Sequence, residues 1–411
     1  MIVICFTNFI RIKMKTILLF FCFLLFFACS SSQQSTQTQV LKETIASNNL
    51  PIVVGAARFE SYLSFLKNKK VAMVVNQTSM LGNTHLVDTL LRLGIQVKKI
   101  FAPEHGFRGT GDAGEKINTS IDKQTKLPLI SLYGKDKKPT TAHLAGIDVV
   151  IFDIQDVGVR FYTYISTMHY VMEACAEQQK LLVILDRPNP NGDYIDGCVL
   201  EPKFQSFVGM HPIPIVHGLT VGELAEMING EKWLANGLKC RLEVVKCLNY
   251  THQTPYILPI KPSPNLPNAN SIRLYPSLCL FEGTNISVGR GTDFPFEVIG
   301  HPDFPDKSFS FTPSSREGAK KPPFENIVCY GTDFRKGTDW QYEFSLQALI
   351  QYYGSSKDKK TFFNDFFTKL AGTEILRKQI ENQLSEDEIR KTWQGNLDTY
   401  KQIRKKYLLY E

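Results

Sequence analysis

Four short apolar runs, each giving way to a polar or acidic residue, constrain the fold of this 411-residue chain more than any other feature. Residues 71–75 stop at Asn76, residues 96–101 lead to Glu104, residues 147–152 stop at Asp153, and residues 181–185 stop at Asp186. Residues 71–75 and 181–185 are continuously apolar, as strands covered on both faces require. Between them, residues 85–93 carry helical spacing through Leu86, Leu90 and Leu93 and close at Gly94, and residues 164–179 also read as a helix. Residues 129–132 add a further short strand. Strands alternating with helices in this way predict an α/β protein with a parallel sheet and right-handed crossovers. No GxGxxG stands between the first strand and the first helix, so the expected domain is Rossmann-like without the dinucleotide fingerprint. No cofactor is expected.

That topology has a chemical consequence. Asn76, Glu104, Asp153 and Asp186 each follow a strand on the same edge of the sheet, where α/β proteins bind ligands. They can therefore converge, although Asn and Asp also serve simply as caps and turn formers.

The N-terminus predicts an address. Met14-Lys15 precedes an apolar run to Ala28, then Cys29 and a serine cluster, the pattern of a secretory signal. The run falls short of the ~20 residues a membrane span needs. Phe26-Phe27-Ala28-Cys29 resembles a bacterial lipobox, which makes Cys29 the expected lipidated first residue and the membrane a partner. Residues 1–28 are read as the signal segment and 29–49, rich in Ser, Gln and Thr, as a flexible tether. The expected location is the periplasm, anchored to the outer membrane. Losing Arg11, Lys13 and Lys15 with the signal leaves +4 of the formal +7, too small an excess to argue for nucleic acid.

Residues 50–245 are read as the catalytic domain. Prolines gather from 255 to 267 and place a domain boundary near 245, so residues 246–411 are read as a second domain. There, 342–353 and 360–370 are expected to be helical and 386–406 to form a helix pair. Six cysteines follow residue 100, with no CxxC and no metal spacing. Cys175 and Cys279 read as core residues; Cys240 and Cys247 are the pair best placed for a disulfide in an exported chain.

The loop after the second strand holds the densest chemistry. In Phe101-Ala102-Pro103-Glu104-His105-Gly106-Phe107, apolar neighbours surround a carboxylate that could serve as general acid or base, or else pair with Arg108. No second histidine lies at ligand spacing from His105, so no metal is expected. Asp112, Glu115 or Asp153 could be the second carboxylate that glycoside cleavage usually needs. Arg160 with Phe161, Tyr162 and Tyr164 offers a cation beside aromatic faces suited to sugar rings. Arg187 and Arg290 could grip a carboxylate or phosphate, or brace loops. No GxSxG occurs, which argues against serine hydrolysis of an ester or amide.

Together with Asn76-Gln77-Thr78, Asp186-Arg187-Pro188-Asn189-Pro190, Pro262-Ser263-Pro264-Asn265, Phe281-Glu282-Gly283-Thr284-Asn285 and Gly289-Arg290-Gly291-Thr292, these blocks resemble the NamZ-type exo-β-N-acetylmuramidases over roughly residues 50–411. The resemblance implies a Rossmann-like N-terminal domain joined to a smaller C-terminal α/β domain, residues 246–411, that completes the active-site cleft. It implies release of N-acetylmuramic acid from the non-reducing end of peptidoglycan fragments. It implies Glu104 as the catalytic acid with His105 beside it. It also adds Asn189, Asn265, Glu282 and Asn285 to Asn76, Arg160, Tyr162, Tyr164, Arg187 and Arg290 as candidate contacts to muramoyl saccharides. Because muramic acid carries a lactyl carboxylate, a selective pocket needs a cation, which Arg160, Arg187 or Arg290 could supply. A wall-binding lipoprotein without catalysis is the alternative from another class.

Overall fold

The alternating runs form the expected strands. A computed structural model describes residues 50–104, 106–107, 120–134, 136–338 and 342–411. The signal segment, the tether with Cys29, His105, Arg108, Asp112 and Glu115 lie outside the described residues. Six strands run parallel: β1 (Lys70–Val75), β2 (Gln96–Ala102), β4 (Pro128–Ser131), β5 (Val149–Asp153), β6 (Leu181–Leu185) and β7 (Arg241–Val245). Two-residue β3 (Ser120–Ile121) pairs antiparallel at the edge, giving the order β3-β4-β2-β1-β5-β6-β7 among the described residues. The order reverses between β1 and β5, as in doubly wound sheets.

Alternation along β1 explains why the run has no polar position. Val71, Met73 and Val75 pack with Tyr62 and Leu66 of α1 (Phe59–Leu66) and Leu86, Val87 and Leu90 of α2 (Leu86–Arg92). Ala72 and Val74 face the opposite layer, with Ile165, Met168 and Val171 of α4 (Tyr164–Glu177) and Leu224 and Ile228 of α5 (Val221–Gly230). Each aliphatic side chain so buried contributes roughly 1.5–3 kcal/mol of transfer free energy, which a polar residue on either face would forfeit. A four-residue helix, α3 (Thr141–Leu144), precedes β5.

The core against Ala72 and Val74 continues without interruption into C-terminal residues such as Phe281, Leu346 and Trp393. That part of the chain contributes α6 (Ala269–Leu278), an antiparallel sheet of β8 (Val298–His301), β9 (Ser310–Phe311) and β10 (Cys329–Asp333), then α7 (Gln347–Ser355), α8 (Phe366–Ala371), α9 (Ile375–Glu381) and α10 (Glu386–Arg404). Val53–Glu411 is one compact unit.

Three local expectations need correction. The helix predicted from 342 starts at Gln347, because Tyr342 sits at φ +61° and cannot continue a right-handed turn. The helix predicted from 360 starts at Phe366. The C-terminal pair is a single 19-residue helix, opened by a Ser385–Glu388 capping box and ending in a short 3-10 turn at Lys405–Tyr407. Cys240 and Cys247 are free thiols, as are the other four described cysteines, all buried.

Candidate active site

A cavity of about 290 Å³ lies beyond the carboxyl ends of β2 and β4. Its first wall comes from the Glu104 loop. After Ala102 the chain turns at Pro103, whose carbonyl accepts from the Gly106 amide at 3.0 Å, and Gly106 supplies the positive φ (+74°) that closes the turn. This turns Glu104 toward the cavity with 8% of its surface exposed. The Thr163 hydroxyl donates to Glu104 Oε2 at 2.6 Å instead of capping α4, whose N-cap position it occupies. The Tyr133 hydroxyl, two residues past β4, also bonds Glu104; burial first and this carboxylate second push the phenol upward.

Aromatic residues form the second wall. The Tyr162 and Tyr164 hydroxyls both donate to the Pro262 carbonyl, at 2.9 and 3.1 Å, which joins the start of α4 to the proline-rich segment. Tyr275 meets Phe161 and Phe296 edge-on at 5.4 and 4.9 Å. These faces suit a sugar ring. Asn265 donates its amide to the Gly318 carbonyl at 2.8 Å, fixing a loop at the rim.

The third wall carries a second carboxylate. Arg290 Nε donates to Glu282 Oε1 at 2.6 Å, and the guanidinium lies over the Phe296 ring at 5.1 Å. Burial alone would lower the Arg290 pKa; the Glu282 charge and hydrogen bond outweigh it and raise it. Among the described residues, Glu104 and Glu282 are the carboxylates that line this cavity.

Glu104, Tyr162, Tyr164, Asn265, Glu282 and Arg290 thus share one cavity, and other expected residues are placed elsewhere. Asp153 is wholly buried and held by Arg187, with Nε to Oδ1 at 2.6 Å and Nη2 to Oδ2 at 2.9 Å. Neither is among the residues that line this cavity. Arg160 is also wholly buried, its terminal nitrogens donating to the carbonyls of Cys198, Ile213, Leu370 and Ala371 at 2.6–2.9 Å. It braces these backbone segments and is not among the residues that line the cavity. Asn76 turns its Oδ1 to the amide and hydroxyl of Thr78, at 2.9 and 2.6 Å. Asn189 bonds Leu219 and Asn191 at 2.8 Å and packs where a Cβ on Gly158 would intrude. Asn285 borders a separate cavity of about 220 Å³ with His301 and Tyr352. Asp186 binds Thr220, Gly222 and Tyr410.

Hydroxyl groups tie the loops at the switch point between β1 and β5 together. Ser79 donates to the Asp153 carbonyl and Thr78 accepts from the Gln155 amide at 3.0 Å, beside the Asp153–Arg187 pair. Sequence reasoning missed Tyr133, Thr163, Tyr275 and Phe296. Tyr133 could have been found, since it follows the strand beside β2 on the same sheet edge. No group of three His, Cys, Asp or Glu among the described residues could hold a metal ion.

Comparison with known proteins bears on this arrangement. Residues 71–270 match the family described as exo-beta-N-acetylmuramidase NamZ, N-terminal, and residues 273–410 match its C-terminal counterpart. The peptidoglycan beta-N-acetylmuramidase NamZ of Bacillus subtilis (strain 168) is 39% identical over 378 residues, covering 85% of this chain and 89% of that one. Two crystal structures of DUF1343 family proteins from Bacteroides fragilis NCTC 9343 are similar, each over 88% of this chain and 99% of the other. They have TM-scores of 0.83 and 0.73 at 48% and 28% identity.

Proposed function

The chain belongs to the NamZ exo-β-N-acetylmuramidase family, glycosidases of peptidoglycan, and on that premise we propose that it releases terminal N-acetylmuramic acid with Glu104 as general acid and base. The sugar enters by its non-reducing end and stacks on the Tyr162–Tyr275 side of the cavity. Glu104, protonated, gives its proton to the glycosidic oxygen as the bond to the anomeric carbon breaks. The resulting carboxylate then takes a proton from the attacking water, which restores the acid. Thr163 and Tyr133 fix the carboxyl group's orientation, so that proton transfer meets one geometry instead of many.

The observation that carries this reading is the position of Glu104: at a strand end, mostly buried, bonded by two hydroxyls, and facing an aromatic-walled cavity. Glu104→Gln keeps size and acceptor while removing the proton. The expected loss is roughly 10²–10⁴-fold in turnover of a defined muramoyl-glucosamine disaccharide, followed as free N-acetylmuramic acid. Unchanged turnover would remove Glu104 from the mechanism.

We also propose that the chain is exported, lipidated at Cys29 and held at a membrane facing the periplasm. Support comes from the charged start, the short apolar run and the Phe26-Phe27-Ala28-Cys29 pattern.

A further inference from the structure

We propose that Arg290, positioned by Glu282, is the receptor for the lactyl carboxylate that distinguishes muramic acid from other amino sugars; this rests on the reading of the cavity as the muramoyl site. The chemistry of that substrate demands a cation, because a carboxylate carried into a partly apolar cavity loses its water and needs a charged donor in exchange. Three arginines fall within the sequence blocks that build the region. Arg160 has both terminal nitrogens on backbone carbonyls, and Arg187 is closed bidentately on Asp153. Both are buried away from the cavity.

Arg290 differs in each respect. It lines the cavity with its side chain 18% exposed. Glu282 takes Nε only, at 2.6 Å, and among the described residues nothing accepts from Nη1 or Nη2. One edge of the guanidinium is therefore fixed by a carboxylate, one face rests on Phe296 at 5.1 Å, and the outer pair of nitrogens remains for a ligand. A planar guanidinium offers five N–H donors and can serve two carboxylates on different edges, and its outer pair matches a carboxylate fork. Glu282 acts through Arg290: it holds the group's plane and leaves its outer edge unengaged.

The test compares two chromogenic muramides, one with the free lactyl carboxylate and one with that group as its methyl ester. The wild-type protein is expected to prefer the free acid by roughly 10- to 150-fold in kcat/KM, the value of a hydrogen bond to a charged group. Arg290→Gln is expected to bring the acid-to-ester ratio near one, mainly through a higher KM for the acid, and Arg290→Lys to restore part of it. Equal losses on both substrates would overturn the assignment, because a merely structural arginine cannot sense the ester. A wild-type protein indifferent to esterification would overturn it as well. A wild-type protein that cleaves neither muramide would instead refute the muramidase reading, and this assignment would fall with it.

Discussion

Replacing Arg160 with Met separates a structural arginine from a substrate-binding one, and the size of the effect follows from its acceptors. Four carbonyls receive its terminal nitrogens: Cys198 and Ile213 on Nη1, Leu370 and Ala371 on Nη2. Met fills much of the same volume and donates nothing. The Ile213 carbonyl keeps the Leu200 amide at 3.2 Å and the Ala371 carbonyl keeps the Cys198 thiol at 3.0 Å. The carbonyls of Cys198 and Leu370 are left bare. At roughly 1–3 kcal/mol for each unsatisfied buried acceptor, the cost is about 4 kcal/mol. Gly372 leaves little room for repair, since a Cβ there would lie 2.8 Å from Arg160 Nη2 and the residue holds φ +74°. For a chain of this size about 4 kcal/mol corresponds to a fall in Tm of roughly 5 °C. The assay pairs thermal melting by circular dichroism with steady-state kinetics well below the transition. Arg160→Met is expected to melt early with KM for the muramide unchanged. An unaltered Tm together with a raised KM would refute the reasoning and return Arg160 to the substrate.

Asp156 gives a pH-dependent stability. Burial raises its carboxyl to about 7, against the opposing amides of Gly158 and Val157, and its Oδ1 has no partner. A carboxyl raised in the folded state contributes stability that is complete below its unfolded value near 3.8 and is lost as pH rises through about 7. Asp156→Asn is therefore expected to flatten the loss of stability between pH 4 and about 7 in urea titrations, with a gain above pH 7 of up to about 4 kcal/mol; an unchanged pH profile would exclude Asp156 as its source. Separately, Cys29→Ser is expected to shift the protein from the membrane to the soluble fraction of fractionated bacteria, and persistence in the membrane would refute lipidation at that residue.

Much of the fold was legible because strands buried on both faces tolerate no polar residue, so β1, β5 and β6 appear in the sequence as unbroken apolar runs. The residues that end them were legible as a common edge, and their partners were not. Asp153 is captured by Arg187, which is 34 positions away, and Asp186 by Thr220 and by Tyr410, 224 positions away near the C-terminus. Such pairings depend on how the sheet twists and where the tail returns, which periodicity does not encode. The helix starts at Gln347 and Phe366 were missed for a local reason: apolar spacing continues upstream of each, while single residues such as Tyr342 leave the helical region.

The candidate site obeys the same distinction. Sequence places Glu104 at a strand end and aromatic residues nearby, and it cannot say which cation remains unengaged. An arginine followed by Phe-Tyr-Thr-Tyr looks like a sugar contact, yet four backbone carbonyls claim Arg160. An arginine between glycines reads equally as a grip on a carboxylate or as a loop brace, and Arg290 reaches the cavity held on one edge only. The deciding quantity is the number of acceptors around each guanidinium, and that number follows from packing. At the β1–β5 switch point the comparable charged groups are already engaged: Asp153 and Arg187 hold each other, beside the Ser79 and Thr78 hydroxyls that tie the loops together. A ligand entering there would have to break a buried ion pair at a cost of roughly 3–5 kcal/mol. At Glu104 it meets a carboxyl group that already faces open space.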